Sequence, residues 1–280
     1  MILKIDKITE TLLRESLVED SAWNDLTSKA ILSGKKMGKG IISAKSDCVI
    51  SGLPVVKKIY QILDKKIKFK FLKTDGDQIG CGESVAEIEG PGITLLSGER
   101  VALNFLSHLT GISTLTHEFI TKLENKKISI FDTRKTTPLW RTLERYAVCM
   151  GGGQNHRFNL SKKILIKDNH LILGDGITNC INAVRTYCGQ QTVIEVEVEN
   201  LEQALEAAQA GADVILFDNI SPQKLSIILS KLKTKAILEV SGGINLKNIH
   251  SYSKFAINRI SVGALTHSAP AMNFSFEIEK

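Results

Sequence analysis

Residues 193–219 read VIEVEVENLEQALEAAQAGADVILFDN. Two short apolar runs, each ending in acid, flank a stretch of helical character, and so compact a strand–helix–strand unit implies parallel strands joined by a right-handed crossover. The same grammar extends outward from it. ISIFDT and ILIKDN precede it, ILEVSGG and RISVGAL follow it, and SPQKLSIILSKL is another intervening helix. The spacing predicts at least six parallel strands after about residue 112. Hydrophobic strands with charge gathered at their C-terminal ends suit a β/α barrel, packed inside and solvated at its mouth. An open doubly wound sheet is the alternative arrangement.

Before residue 112 the pattern differs. Ile5, Ile8, Leu12, Leu13 and Leu17 fall at helical spacing, and the acidic loop EDSAWNDLT follows. GIISAK and CVISG read as strands and LPVVKKIYQILD as a helix, while Ile67, Phe69 and Phe71 alternate ahead of a turn at DGDQIG. Ile93–Leu109 reads as a helix connecting two parts. GKKMGKG at 34–40 lacks the spacing and the Ser or Thr of a phosphate loop and reads as a turn.

The chain has 280 residues, 43% hydrophobic and 24% charged, a globular composition that excludes fibrous, low-complexity and largely disordered classes. Its longest uncharged stretches, Val101–His117 and Ile260–Phe276, are broken by polar residues, Gly or Pro, so no membrane span is expected. The N-terminus lacks an apolar leader core, which makes the cytoplasm the expected compartment. Five scattered cysteines (Cys48, Cys81, Cys149, Cys180, Cys188) form no zinc or disulfide pattern. The net charge of +6 suits anionic ligands. Nucleic acid is disfavoured, because aromatics are only 6% of the chain and the lysine pairs are dispersed rather than interleaved with rings.

Strand ends carry the chemistry. Asp132, Arg134 and Lys135 close the first predicted barrel strand; Lys167 and Asp168, Glu197, Asp218, Glu239 and Ser241, and finally Gly263 and His267 close the others. Any one of these reads as a loop residue or helix cap, but six in register read as a site. DTRKTTP sets two cations among hydroxyls, Thr133 included; Arg134 suits bidentate recognition of an oxyanion and Lys135 supplies a mobile charge. In GGGQNHR, consecutive glycines permit close backbone approach before His156 and Arg157. SGGI (Ser241, Gly242, Gly243) and SVGALTH, after the last two strands, expose backbone N–H groups where barrels commonly hold phosphate. Glu197 and Asp218 suit Mg²⁺, directly or through water, or sugar hydroxyls. Together these residues ask for a ligand bearing carboxylates and phosphates.

EDSAWNDLT, LSGERVALNFLSHLTGIST, DTRKTTP, LERYAV, GGGQNHR, IKDNH, IEVEVENLEQA, GADVILFDN, EVSGGINLKNI and ISVGALTHSAP, in this order over nearly the whole chain, resemble the quinolinate phosphoribosyltransferases. The resemblance implies an N-terminal α/β sandwich over 1–111, joined by the C-terminal segment 270–280, and an incomplete β/α barrel over 112–269. It implies a pentosyltransferase that makes nicotinate mononucleotide, pyrophosphate and CO₂ from quinolinate and phosphoribosyl pyrophosphate, with Mg²⁺, as a homodimer whose sites lie between subunits. By resemblance Arg100, Arg134, His156, Arg157 and Lys167 bind quinolinate, with Arg100 reaching the partner's site. Lys135, Glu197 and Asp218 fall around the ribose and metal, and Ser241, Gly242, Gly243, Gly263 and His267 at the phosphates. Asn24 stands where the family usually has glycine, and Trp140 where a smaller residue is expected. A molybdenum-transport-associated paralog and a non-catalytic phosphate-binding barrel are the alternatives; Lys167-Asp168-Asn169-His170 weighs against the first, and Lys135, Glu197 and Asp218 against the second.

Overall fold

Asp6 caps the first helix, its carboxylate accepting the Thr9 N–H at 2.8 Å, and α1 (Lys7–Glu19) buries Leu13 and Leu17. The computed structural model describes residues 3–32 and 36–279. The acidic loop is a second capping device. After a 3-10 turn at Ala22–Asn24, Asp25 caps α2 (Leu26–Ile31) through Ser28 N–H and also accepts the Ser28 and Ser97 hydroxyls. Those bonds, Ser28's hydroxyl above all, hold its carboxyl below the ordinary range. Asn24 needs no glycine conformation: the left-handed residue of this loop is Ser21, at φ 52°, and Asn24 accepts the Lys29 ammonium at 2.9 Å.

Next come β1 (Met37–Ala44), β2 (Cys48–Val49), α3 (Leu53–Leu63), β3 (Lys68–Phe71), β4 (Gln78–Ile79) and β5 (Ser84–Pro91). The expected turn at 34–40 is strand from Met37 onward, and its residues 34 and 35 lie outside the described ones. Helix α4 runs Gly92–Leu123, well past the expected end at Leu109. The barrel segment then holds β6 (Ser129–Phe131), α5 (Arg141–Met150), β7 (Ile164–Ile166), α6 (Asp168–Leu173), α7 (Ile177–Cys188), β8 (Ile194–Val198), α8 (Leu201–Gln209), β9 (Val214–Asp218), α9 (Pro222–Lys231), β10 (Ile237–Ser241), β11 (Arg259–Ser261) and α10 (Ala264–His267), before β12 (Phe274–Ile278). Among the described residues no helix is long and apolar enough to cross a membrane.

Two compact units result. The first runs to His117 and takes in Thr136–Gly152 and the segment from Leu265. Its antiparallel sheet has the order β12-β1-β5-β3, so the C-terminal segment supplies an edge strand. Helix α5, which the sequence groups with the barrel, belongs to this unit for a polar reason. The Tyr146 hydroxyl donates at 2.9 Å to Asp75, which also accepts the N–H groups of Gly52 and Leu53 at the start of α3. Fully buried Glu144 meets His108 Nε2 at 2.9 Å and the Thr137 N–H at 3.1 Å. Trp140 stacks on Phe105 with centroids 4.3 Å apart and meets His108 edge-on, so its bulk is accommodated by the first unit's helix α4.

The second unit comprises Glu118–Lys135 and Gly153–Ala264. Its six parallel strands are ordered β6-β11-β10-β9-β8-β7. A doubly wound sheet would reverse its strand order at a switch point. Here the order runs in chain sequence all round, as in a barrel opened at one place. Gln154 bridges Phe131 in parallel, its N–H donating to Ile130 at 2.8 Å while Asp132 N–H donates back at 3.0 Å. This short extra strand continues the order past β6 and leaves the gap beside β7, so the barrel is incomplete.

Candidate active site

A strand's side chains alternate, so Glu195 and Glu197 share one face of β8 while the fully buried Ile194, Val196 and Val198 take the other. The parallel register sets Glu197 beside Leu216, Leu216 beside Glu239, and Glu239 beside Arg259. Residues in register share a face, so one interior layer of this barrel is charged. Glu195 Oε2 lies 3.4 Å from Arg259 Nη2, and Arg259 Nε pairs with Glu239. Ser261 donates its hydroxyl to Glu239, and the Arg259 guanidinium lies 5.1 Å from the Phe131 ring centroid. Burial, and then the nearby charge of Glu195, push the Glu239 carboxyl up to about 7. Glu195 is held below its ordinary value: burial opposes ionisation, but the His156 hydrogen bond and the charges of His156 and Arg259 outweigh it.

His156 enters this cluster from the extra strand. Its Nε2 is 3.1 Å from Glu195 Oε1 and 3.6 Å from Glu239 Oε1, its backbone N–H donates to buried Asp132 at 2.7 Å, and its Nδ1 accepts the Arg157 N–H at 2.8 Å. Arg157 is buried and donates through Nη1 to the Lys163 carbonyl at 3.2 Å. Burial, then the like charge of Arg134, lower its pKa, and Glu195 offsets this in part. Arg134 is half-buried, and among the described residues its Nε has no hydrogen-bond partner. Two guanidiniums thus share one end of the barrel.

Lys167 follows β7 directly. Ile166 pairs with Val196, so Lys167 and Glu197 come next on neighbouring strands, and their side chains form an ion pair. The KDNH turn is tied by the Lys167 N–H, which donates to His170 Nδ1 at 3.0 Å. Lys135 is exposed, and its N–H donates to Thr133 Oγ1 at 3.1 Å. Asp218 ends β9 beside Ser241 and accepts the Asn219 amide at 2.7 Å.

Gly242 and Gly243 follow at φ 82° and 64°, a region open to glycine and closed to most residues. A Cβ on Gly242 would collide with Asn219 Oδ1 and stand 2.7 Å from its backbone nitrogen, so the loop needs glycine for space as well. Asn245 and Asn248 hold the Gly243 carbonyl at 3.2 and 2.9 Å. Ser241 donates to the Ser261 carbonyl at 3.3 Å, and Gly263 follows β11. Arg134, Lys135, Thr133, His156, Arg157, Lys167, Glu197, Asp218, Ser241, Gly242, Gly243 and Gly263 are therefore all in the second unit. Arg100, on α4, and His267, whose Nδ1 lies 2.6 Å from the Ser268 hydroxyl, are in the first.

Glu195, Arg259 and Asn219 were not among the residues singled out from the sequence, and Glu239 was noted only as a strand end. The signal was present in the two-residue spacing of IEVEV, LEVS and RIS, which puts Glu195 with Glu197, Glu239 with Ser241, and Arg259 with Ser261 on single faces.

Residues 112–277 match the C-terminal domain of quinolinate phosphoribosyl transferase, and residues 25–110 match its N-terminal domain. A probable nicotinate-nucleotide pyrophosphorylase [carboxylating] of Bacillus subtilis is 41% identical over 267 residues, covering 95% of this chain and 92% of that protein. The human nicotinate-nucleotide pyrophosphorylase [carboxylating] is 34% identical over 258 residues, 90% of this chain and 86% of its own. The crystal structure of NadC from Streptococcus pyogenes superposes with a TM-score of 0.95 at 38% identity, covering 100% of this chain and 99% of that one.

Proposed function

The chain belongs to the quinolinate phosphoribosyltransferase family, and from that premise we propose how its residues divide the work of the reaction. The reaction moves a phosphoribosyl group from phosphoribosyl pyrophosphate to the quinolinate ring nitrogen and releases pyrophosphate and CO₂, leaving nicotinate mononucleotide for NAD synthesis. One observation carries the assignment of the acceptor site: half-buried Arg134, its Nε without a hydrogen-bond partner among the described residues, and buried Arg157 gather at one end of the barrel, where burial and then the charge of Arg134 hold the Arg157 pKa down. Such a site is relieved by a dianion. Quinolinate carries two carboxylates, and Arg134, Arg157 and Lys167 are the cations that neutralise them and aim the ring nitrogen at ribose C1.

Lys167 begins the cycle paired to Glu197. When a quinolinate carboxylate takes Lys167, Glu197 is released to face the ribose. Glu197 and Asp218 then stabilise the positive charge that grows on the sugar as the bond to pyrophosphate breaks. Ser241, Gly242, Gly243 and Gly263 hold phosphate oxygens, and Lys135 and Thr133 flank the departing pyrophosphate. The ring nitrogen attacks C1 with inversion. The quaternised ring accepts the electron pair of the adjacent C–CO₂⁻ bond, CO₂ departs, and the ring carbon takes up one proton.

The proposal includes Mg²⁺. Glu197 and Asp218 lie near the ends of adjacent strands, and their carboxylates would hold the ion, directly or through water. When bound, it neutralises charge on the pyrophosphate. The buried trio His156, Glu195 and Glu239 does not fit a metal, since Arg259 already stands against both carboxylates. The assembly proposed is a homodimer in which Arg100, two-thirds exposed on α4, serves the partner's site.

The test is substrate choice. Nicotinate lacks the second carboxylate and leaves part of the cationic site unmatched, a penalty of ~1–3 kcal/mol or more. Release of CO₂ from quinolinate should require phosphoribosyl pyrophosphate and Mg²⁺, and nicotinate should be at least about tenfold poorer in kcat/KM. Comparable turnover of both acids would reject this division of the cations, and no quinolinate turnover at all would reject the functional reading.

A further inference from the structure

Asn219 follows β9 in the left-handed region, at φ 53°, which asparagine enters more readily than most residues because its short amide bonds locally. It does not cap the helix beyond it: Ser221 does, accepting the Lys224 N–H at 3.4 Å. Its polar groups turn instead to the ends of β9 and β10. Nδ2 donates to Asp218 Oδ2 at 2.7 Å, and the backbone N–H donates to the Ser241 carbonyl at 2.9 Å. A carboxylate only accepts, so the amide must present its NH₂ to Asp218, and Oδ1 is left on the other side. There it lies against Gly242, where an added Cβ would collide with Oδ1 and stand 2.6 Å from Asn219 Cγ. One amide thus lies between the carboxylate that ends β9 and the glycine turn that follows β10.

We infer that Asn219 is a positioning residue for phosphoribosyl pyrophosphate: its NH₂ edge fixes the Asp218 carboxylate for the ribose, its carbonyl edge shapes the Gly242–Gly243 turn for a phosphate, and the amide between them sets the spacing of the two. This deepens the functional reading above and rests on it for the roles of Asp218 and the turn. Two physical arguments favour it. A carboxylate at a strand end has two soft side-chain torsions, and a 2.7 Å bond to a neighbour whose own backbone is pinned to Ser241 removes that freedom before substrate arrives. On its other edge the amide occupies the space that Gly242 leaves empty, so the turn cannot settle inward against the end of β9. Asn219 is itself exposed, so these contacts do not serve to fill a core.

Two variants of the full chain separate the two edges, and both tolerate the φ of this position. Asn219→Asp keeps the shape of the side chain but sets a carboxylate oxygen against Asp218, two acceptors face to face. Asn219→Gly removes both edges. Binding is read by isothermal titration with Mg²⁺ present, using phosphoribosyl pyrophosphate as the ligand that spans both ends and inorganic phosphate as the ligand of the turn alone. Asn219→Asp should raise the Kd for phosphoribosyl pyrophosphate about tenfold or more while leaving that for phosphate within about twofold, and the quinolinate KM should stay near the wild-type value. Asn219→Gly should weaken the binding of both ligands. An Asp variant that binds phosphoribosyl pyrophosphate as the wild type does, or that loses phosphate to the same degree, overturns the inference. So does a Gly variant with wild-type affinity for phosphate, and that arm stands even if the Asp variant lacks the native circular dichroism spectrum. Wild-type protein that does not bind phosphoribosyl pyrophosphate would reject the functional reading itself, whereas wild-type binding that the variants leave intact rejects only the role of Asn219.

Discussion

Glu239 is a carboxyl taken out of water by the interior of the barrel. It is fully buried, and burial and the charge of Glu195 raise its carboxyl from an ordinary 4.5 to about 7, although Arg259 pairs with it. The folded chain then binds a proton at this residue that the unfolded chain has released, so stability falls as pH rises through that window, from 4.5 to about 7. Glu239→Gln removes the titration, and the Gln carbonyl can still accept from Ser261. Its melting temperature should gain on the wild type's as pH is raised from 5 to 8; parallel curves over that range would show that Glu239 stays ionised throughout. Removing Arg259 is the opposite experiment in sign, because it strands two buried carboxylates. Arg259→Met should cost about 3–5 kcal/mol, read from urea unfolding. At this scale the sequence was only partly legible. Arg134, Arg157 and Lys167 stand out as cations at strand ends, whereas Glu195 and Arg259 lie within strands, where only the alternation of faces reveals them.

Elements were more legible than residues wherever one local rule decides them. The strands from β6 to β11 could each be read from an apolar run ending in a polar group, and the Ser241–Gly243 turn from its paired glycines. Its conformation explains why no other residue serves: Gly242 combines a φ of 82° with contact against Asn219. Gly242→Ala should cost on the order of 1–3 kcal/mol at the loop, read as a rise of about tenfold or more in the KM for phosphoribosyl pyrophosphate, with the quinolinate KM little changed. A matching rise in both constants would mean that the loop supports the whole mouth rather than the phosphates. Elements held by distant partners were harder to read. The placement of α5 depends on half-buried Asp75 and fully buried Glu144, which tie it to the first unit through Tyr146, His108 and Thr137. A carboxylate in a turn gives no sign in sequence that it will be buried or whom it will hold.

At the scale of the whole molecule, the barrel rather than a doubly wound sheet follows from strand order, which the sequence left open because both folds are written in the same βα grammar. What the second unit lacks is a reason for Arg100, which sits on α4 of the first unit, two-thirds exposed and 4.0 Å from its neighbour Glu99. In the proposed homodimer it serves the partner's site, and two-fold symmetry makes that sharing reciprocal. Arg100→Ala and Lys135→Ala should then each be nearly inactive alone, since each variant damages both sites of its dimer. Mixed in equal amounts and allowed to exchange subunits, about half of the dimers become heterodimers under random pairing. In each of these, one site combines both lesions and the other combines an intact Arg100 with an intact Lys135. About a quarter of all sites should regain activity, and the recovered rate should track the exchange followed by mass spectrometry of differently labelled subunits. Complete exchange without recovered turnover would place Arg100 in the service of its own chain and would remove the reason for an active site shared between subunits.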